Sequence, residues 1–83
     1  MNLINFNINN YVLIQIFPLG WEILEKEYGS DYIKYCVKSY AVDIEGETWY
    51  RLQLWQVMNM FGQYIGNGLD IPIGTNIKFD ING

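Results

Sequence analysis

The side chains with the most chemical potential crowd into one stretch, Trp49-Tyr50-Arg51-Leu52-Gln53-Leu54-Trp55-Gln56-Val57-Met58-Asn59-Met60-Phe61-Gly62, which holds two of the three tryptophans and the only arginine. Its first half alternates, so Trp49, Arg51 and Gln53 share one strand face while Leu52 turns to the other. An indole plate, a forked guanidinium and an amide in a row suit a ligand that joins a planar ring to an anionic group. Indole stacks on the ring, and guanidinium pairs with phosphate or carboxylate. Trp55 and Asn59, one helical turn apart, extend the same wall. The candidate ligand-binding residues are therefore Trp49, Arg51, Gln53, Trp55 and Asn59. The same residue types also mark protein interfaces. Trp49 and Trp55 equally suit a core or a contact between subunits, with Arg51 answering a nearby acid.

Other chemistry is disfavoured by what the chain lacks. Histidine is absent, which removes Ser-His-Asp and Cys-His triads and the ordinary imidazole base. One cysteine without histidine makes no zinc site. Neither Gly-x-Gly-x-x-Gly nor a Walker loop occurs. Asp43, Glu45 and Glu47 are spaced by two and would share a face in a continuous strand. At a hairpin tip they read as solvated, whereas Mg²⁺ and Ca²⁺ need converging oxygens. Cys36, between Lys34 and Lys38, reads as a small residue on a helix face; a nucleophile would need its thiol pKa lowered. No enzyme, no metal and no cofactor are expected.

At 83 residues there is room for a single domain, spanning residues 1–83, and a 51% apolar composition supports a core. The aromatic share of 17% exceeds what such a core needs and leaves rings for a ligand or partner. A net charge of −4 with five basic residues provides no basic stripe, which argues against DNA or RNA as ligand. The start Met-Asn-Leu-Ile-Asn-Phe-Asn lacks the basic and apolar regions of a signal peptide, and no apolar run is long enough for a bilayer. A lone cysteine fits a reducing compartment. A cytoplasmic protein without a membrane partner is expected. Small chains also commonly gain burial by self-association, so a homo-oligomer is expected.

The elements that must position these side chains can be read in order. Ile4, Phe6 and Ile8 alternate with asparagines as in a half-buried strand, and Tyr11 to Phe17 is apolar enough for a strand covered on both faces. Pro18 suits the first turn of a helix running to Tyr28, with Leu19, Ile23, Leu24 and Tyr28 on its apolar stripe and Gly29 as its stop. Ser30 is placed to cap a second helix over Asp31 to Tyr40, a segment whose β-branched and aromatic content also allows a strand. Ala41 to Glu45 and Thr48 to Gln53 flank Gly46 as a hairpin. A helix over Leu54 to Phe61 presents Leu54, Val57, Met58 and Phe61 on one face. Gly62 to Gly74 is a glycine-rich loop, and Ile77, Phe79 and Ile81 alternate in a closing strand. Ile4-Asn5-Phe6-Asn7-Ile8-Asn9 and Ile77-Lys78-Phe79-Asp80-Ile81-Asn82 mirror one another, as strands that pair internally or offer an edge to another copy. The expected fold is α+β, an antiparallel sheet packed against two or three short helices.

The stretch Gln53-Leu54-Trp55-Gln56-Val57-Met58-Asn59-Met60-Phe61-Gly62 resembles a family of small bacteriophage and prophage proteins that carry Gln-Leu-Trp-x-x-Met-Asn-x-Phe-Gly. Val12 to Gly20, a strand running into a Pro-containing helix start, and Leu69-Asp70-Ile71-Pro72 resemble further parts of that family. The resemblance spans about Tyr11 to Ile81 and leaves out the Asn-rich start. It implies an accessory protein acting inside the infected bacterium. Two counter-defence roles follow from it: holding a nucleotide-derived immune signal without cleaving it, or blocking a host defence enzyme or nuclease as anti-CRISPR proteins do. In the first, Arg51, Lys34 or Lys38 and backbone N–H groups would meet the anion.

Overall fold

The computed structural model of the chain describes residues 3, 5–65 and 70–80. Four strands, β1 (Tyr11–Ile14), β2 (Ala41–Ile44), β3 (Glu47–Gln53) and β4 (Lys78–Asp80), form one antiparallel sheet in the order β2-β3-β1-β4. Helix α1 (Pro18–Tyr28) follows β1. Helix α2 starts as one turn (Ser30–Tyr32), widens into a π turn (Ile33–Val37) and tightens into a 3₁₀ turn (Lys38–Tyr40). Helix α3 (Leu54–Phe61) continues from β3 and ends in a 3₁₀ turn (Gly62–Tyr64). The α+β class read from the sequence is the fold observed. Among the described residues no helix is long and apolar enough to cross a membrane.

Each junction has a local cause. The β2–β3 connection is two residues, Glu45 and Gly46, with φ of 51° and 85°. Positive φ at both central positions is the mark of a type I′ turn, whose twist matches that of the flanking strands. Glu45 accepts the strained conformation beside a glycine that adopts it freely. At the other end of β3 the chain turns into α3 through a capping box. Gln53 is the N-cap, its side chain accepts from the backbone of Gln56, and the Gln56 side chain accepts from the Gln53 N–H. Pro18 opens α1, where its missing N–H is no loss, and α1 stops at Gly29, whose N–H reaches the carbonyls of Leu24 and Glu25.

The core lies on one face of the sheet. Val12, Ile14 and Leu52 meet Leu24 of α1, Ile33 and Val37 of the π turn, and Val57, Met60 and Phe61 of α3. Full burial of each large side chain is worth about 1.5–3 kcal/mol. Ile73 closes one end. It bridges to Ile16, while Phe17 N–H bonds Pro72 O and Gly74 N–H bonds Gln15 O, both at 2.9 Å. Gly20 permits this closure, because a Cβ on it would lie 2.4 Å from Pro72 O and 2.7 Å from Ile16 Cγ2.

Several expectations give way. Asn5 to Ile8 is not a strand: Asn7 turns the chain, its Oδ1 accepting the Asn9 N–H and its carbonyl the Asn10 N–H. The side chain that looked like the polar half of an alternation competes with the ladder instead. Phe6 still meets Phe79 edge-on at 4.8 Å, so among the described residues the mirrored segments touch through rings and form no ladder. β1 is covered on one face only, and Phe17 is exposed. Ser30 is the first residue of α2, and the N-cap is Gly29 with no side-chain bond. The buried stripe of α3 is Val57, Met60 and Phe61, which leaves Met58 outside. Asp43 and Glu47 lie on opposite faces, because the two-residue turn pairs Asp43 with Thr48 and Ile44 with Glu47. The closing strand is described for Lys78–Asp80, and Ile81 lies outside the described residues.

Candidate functional site

The register Tyr11↔Gln53 and Leu13↔Arg51 confirms that Trp49, Arg51 and Gln53 project from one face of β3, opposite the helices. They do not form an open wall. Trp49 is 5% exposed, with the Lys78 ammonium 4.9 Å from its ring centroid. Its buried Nε1 has no hydrogen-bond partner among the described residues. Arg51 lays its guanidinium 3.8 Å over the Tyr11 ring. The Gln53 amide is engaged within the fold: Nε2 donates to Asn9 O at 2.9 Å, and Oε1 accepts the Trp55 indole N–H at 3.1 Å as well as capping α3. Trp55 is 43% exposed, and Asn59 is exposed on the next turn.

Of the five candidates, Arg51, Gln53 and Trp55 border one cavity of about 240 Å³ at the end of β3, together with Tyr11, Cys36 and Tyr40. Trp49 and Asn59 do not. That volume falls below the usual 300–1,000 Å³ of small-molecule sites. The acidic tip offers no metal cage either. Asp43 accepts from the Thr48 hydroxyl and Glu47 from the Gln15 amide, and no group of three potential ligands converges among the described residues.

A larger opening lies between α1 and α2, an open groove of about 760 Å³. Trp21, Glu22, Glu25 and Lys26 of α1 form one wall, and Ser30, Ile33, Lys34 and Lys38 of the α2 segment form the other. Trp21 stands edge-on to Tyr50 with centroids 5.2 Å apart, so the sheet holds the indole in place from behind. The Lys38 ammonium lies 5.2 Å from the Trp21 ring centroid, and Lys34 sits 5.3 Å over Tyr35. Three of the five basic residues of this acidic chain thus line one groove beside a tryptophan. Behind the groove, burial foremost and the charge of Asp43 next raise the Tyr50 hydroxyl pKa, keeping that residue neutral. Tyr28 is raised likewise, by burial and then by Tyr32 and Glu27, while Tyr64 is raised chiefly by its hydrogen bond to Glu27.

The groove was partly legible. Trp21, Leu24 and Tyr28 recur at three and four along α1, so the indole stands at the edge of the apolar stripe, with Glu22 and Glu25 on the adjoining face. Lys34 and Lys38 stand four apart on the next helix and so share a face. The missed step was to put the two faces together. Compared with known protein families, curated proteins and solved structures, the chain matches none.

Proposed function

We propose that this protein is a non-catalytic binding module that holds a nucleotide-like ligand in the α1–α2 groove. The observation that carries the proposal is that Lys26, Lys34, Lys38 and Trp21 line one groove of about 760 Å³, with the Lys38 ammonium 5.2 Å from the Trp21 ring. That is the size of an ordinary ligand site, apolar at Ile33 and Trp21 and charged at its rim. A base stacks on the indole and a phosphate pairs with the ammonium groups. The Lys38 ammonium now over Trp21 does not block this, since an exposed cation–π contact is worth only about 0.5–1 kcal/mol and yields to a phosphate. The chain has no histidine to activate the Ser30 hydroxyl of the groove, which favours a ligand retained without cleavage. With the resemblance to small bacteriophage proteins, this becomes sequestration of a nucleotide-derived immune signal in the host cytoplasm by a homo-oligomer.

Calorimetric titration with nucleoside diphosphates at low and moderate salt tests the binding step. We expect saturable binding that weakens as salt screens the lysines, and a loss of at least about tenfold in Lys34→Ala/Lys38→Ala. Unchanged affinity in that double variant would remove the groove from consideration. Native mass spectrometry of protein from an infected host reads copy number and retained ligand together.

A second reading has its own observation. Tyr40, Trp55 and Met58 are 50%, 43% and 54% exposed, and Tyr40 and Trp55 flank Arg51 at the β3-end cavity. Aromatic residues beside arginine are the composition of protein-binding hot spots. On this reading the protein blocks a host defence enzyme. Trp55→Ala would then abolish capture of that enzyme and leave nucleotide binding intact, whereas undiminished capture would dismiss it.

A further inference from the structure

We infer that the α1–α2 groove selects guanine nucleotides over adenine nucleotides, an inference that rests on the groove being a nucleotide site. The selecting groups are Glu22 and Glu25. They stand one turn apart on α1, and Glu25 lies one turn beyond Trp21, so both carboxylates border the place where a base on that indole would lie. Two of the three lysines, Lys34 and Lys38, are on the opposite wall, while Lys26 shares the α1 wall with both glutamates; the pair orients the ligand, phosphate toward Lys34 and Lys38 and base edge toward α1.

A carboxylate accepts hydrogen bonds and offers none. Among the bases, guanine alone presents two adjacent donors on its Watson–Crick edge, N1–H and N2–H₂, at the spacing of two carboxylate oxygens. Adenine presents the N6 amino group beside the N1 lone pair, so one carboxylate oxygen would face another acceptor. Cytosine has the same defect, and uracil has a single donor between two carbonyls. A bidentate pair carries discrimination of about fivefold to over a hundredfold against the wrong base. Because the groove is open to water, about tenfold is expected here.

Equilibrium dialysis with guanosine, adenosine and inosine 5′-diphosphates decides it. The expected order is guanosine tightest by about tenfold, with inosine, which keeps N1–H and lacks the amino group, falling toward adenosine. Replacing either carboxylate by its amide, Glu22→Gln or Glu25→Gln, preserves shape and puts a donor where the base donates. At least one of the two should bring the guanosine-to-adenosine ratio toward one. Equal affinities in the unaltered protein, or a ratio that survives both substitutions, would overturn base selection while leaving the nucleotide site standing. Absence of binding by all three diphosphates would overturn both.

Discussion

Two lysine–tryptophan pairs, alike in chemistry, lie in opposite settings. Lys78 covers Trp49 on the sheet face opposite the helices, and the indole beneath it is almost wholly withdrawn from water. Lys38 covers Trp21 on the wall of an open groove, with Lys26 and Lys34 lining the same groove. The first pair closes a surface, because the ring beneath the ammonium is itself buried. The second leaves one open, because a groove of about 760 Å³ lies between the two helices beside it. A row of binding-type residues becomes a site only where the backbone around it leaves room, and room is what the β3 face lacks.

The sharpest way to break this contrast is Trp49→Ala. Removing a buried indole should lower stability by about 3–5 kcal/mol in urea unfolding. A loss below about 1 kcal/mol would mean that the ring is not a packing element, and the contrast would fail. Trp21→Ala is the counterpart: a loss of about tenfold in diphosphate affinity, with a smaller fall in stability than for Trp49. Should the two variants exchange these effects, the site belongs on β3. Gln53→Ala comes next, with a decrease of about 1 kcal/mol in unfolding free energy from loss of the α3 cap, and no change in ligand affinity. An affinity change there would return the amide to the ligand.

The smallest effect concerns the backing of the groove. The folded chain raises the Tyr50 pKa, so its neutral form is the one the fold stabilises. That contribution is complete below the ordinary tyrosine pKa of about 10, where neither state ionises. It fades as pH rises above that value, because the unfolded chain loses its proton first. Melting temperature should therefore decline above about pH 10, and Tyr50→Phe should soften the decline. A decline of the same steepness in that variant would assign it to other tyrosines.

Local grammar made much of the fold readable. Gly46 between two alternating runs predicted the hairpin, Pro18 and Gly29 marked the ends of α1, and α3 over Leu54–Phe61 agrees in both bounds. What escaped depends on competition or on distance. Asn7 captures the backbone N–H of Asn9, a bond that a period-two pattern does not register. Met58 and Met60 are equally apolar, and the direction from which α3 approaches the sheet decides that Met60 is buried. The row on β3 was correctly placed on one face, yet its covering comes from Tyr11 and Lys78, far away in the chain. The groove needs α1 and α2 side by side, a pairing that neither helix declares alone.

The π turn at Ile33–Val37 has a consequence of phase. A π turn carries one residue more than an α turn, so it acts as a one-residue shim within the helix. Were the same five residues to close as regular α-helix with none removed, every side chain beyond them would rotate by about 100°. Lys38 would swing away from Trp21 while Ser30, before the π turn, stayed in place. The contact between the two walls of the groove is thus set by the winding of this one turn, which absorbs a residue and so fixes the phase of Lys38 without any change of residue type.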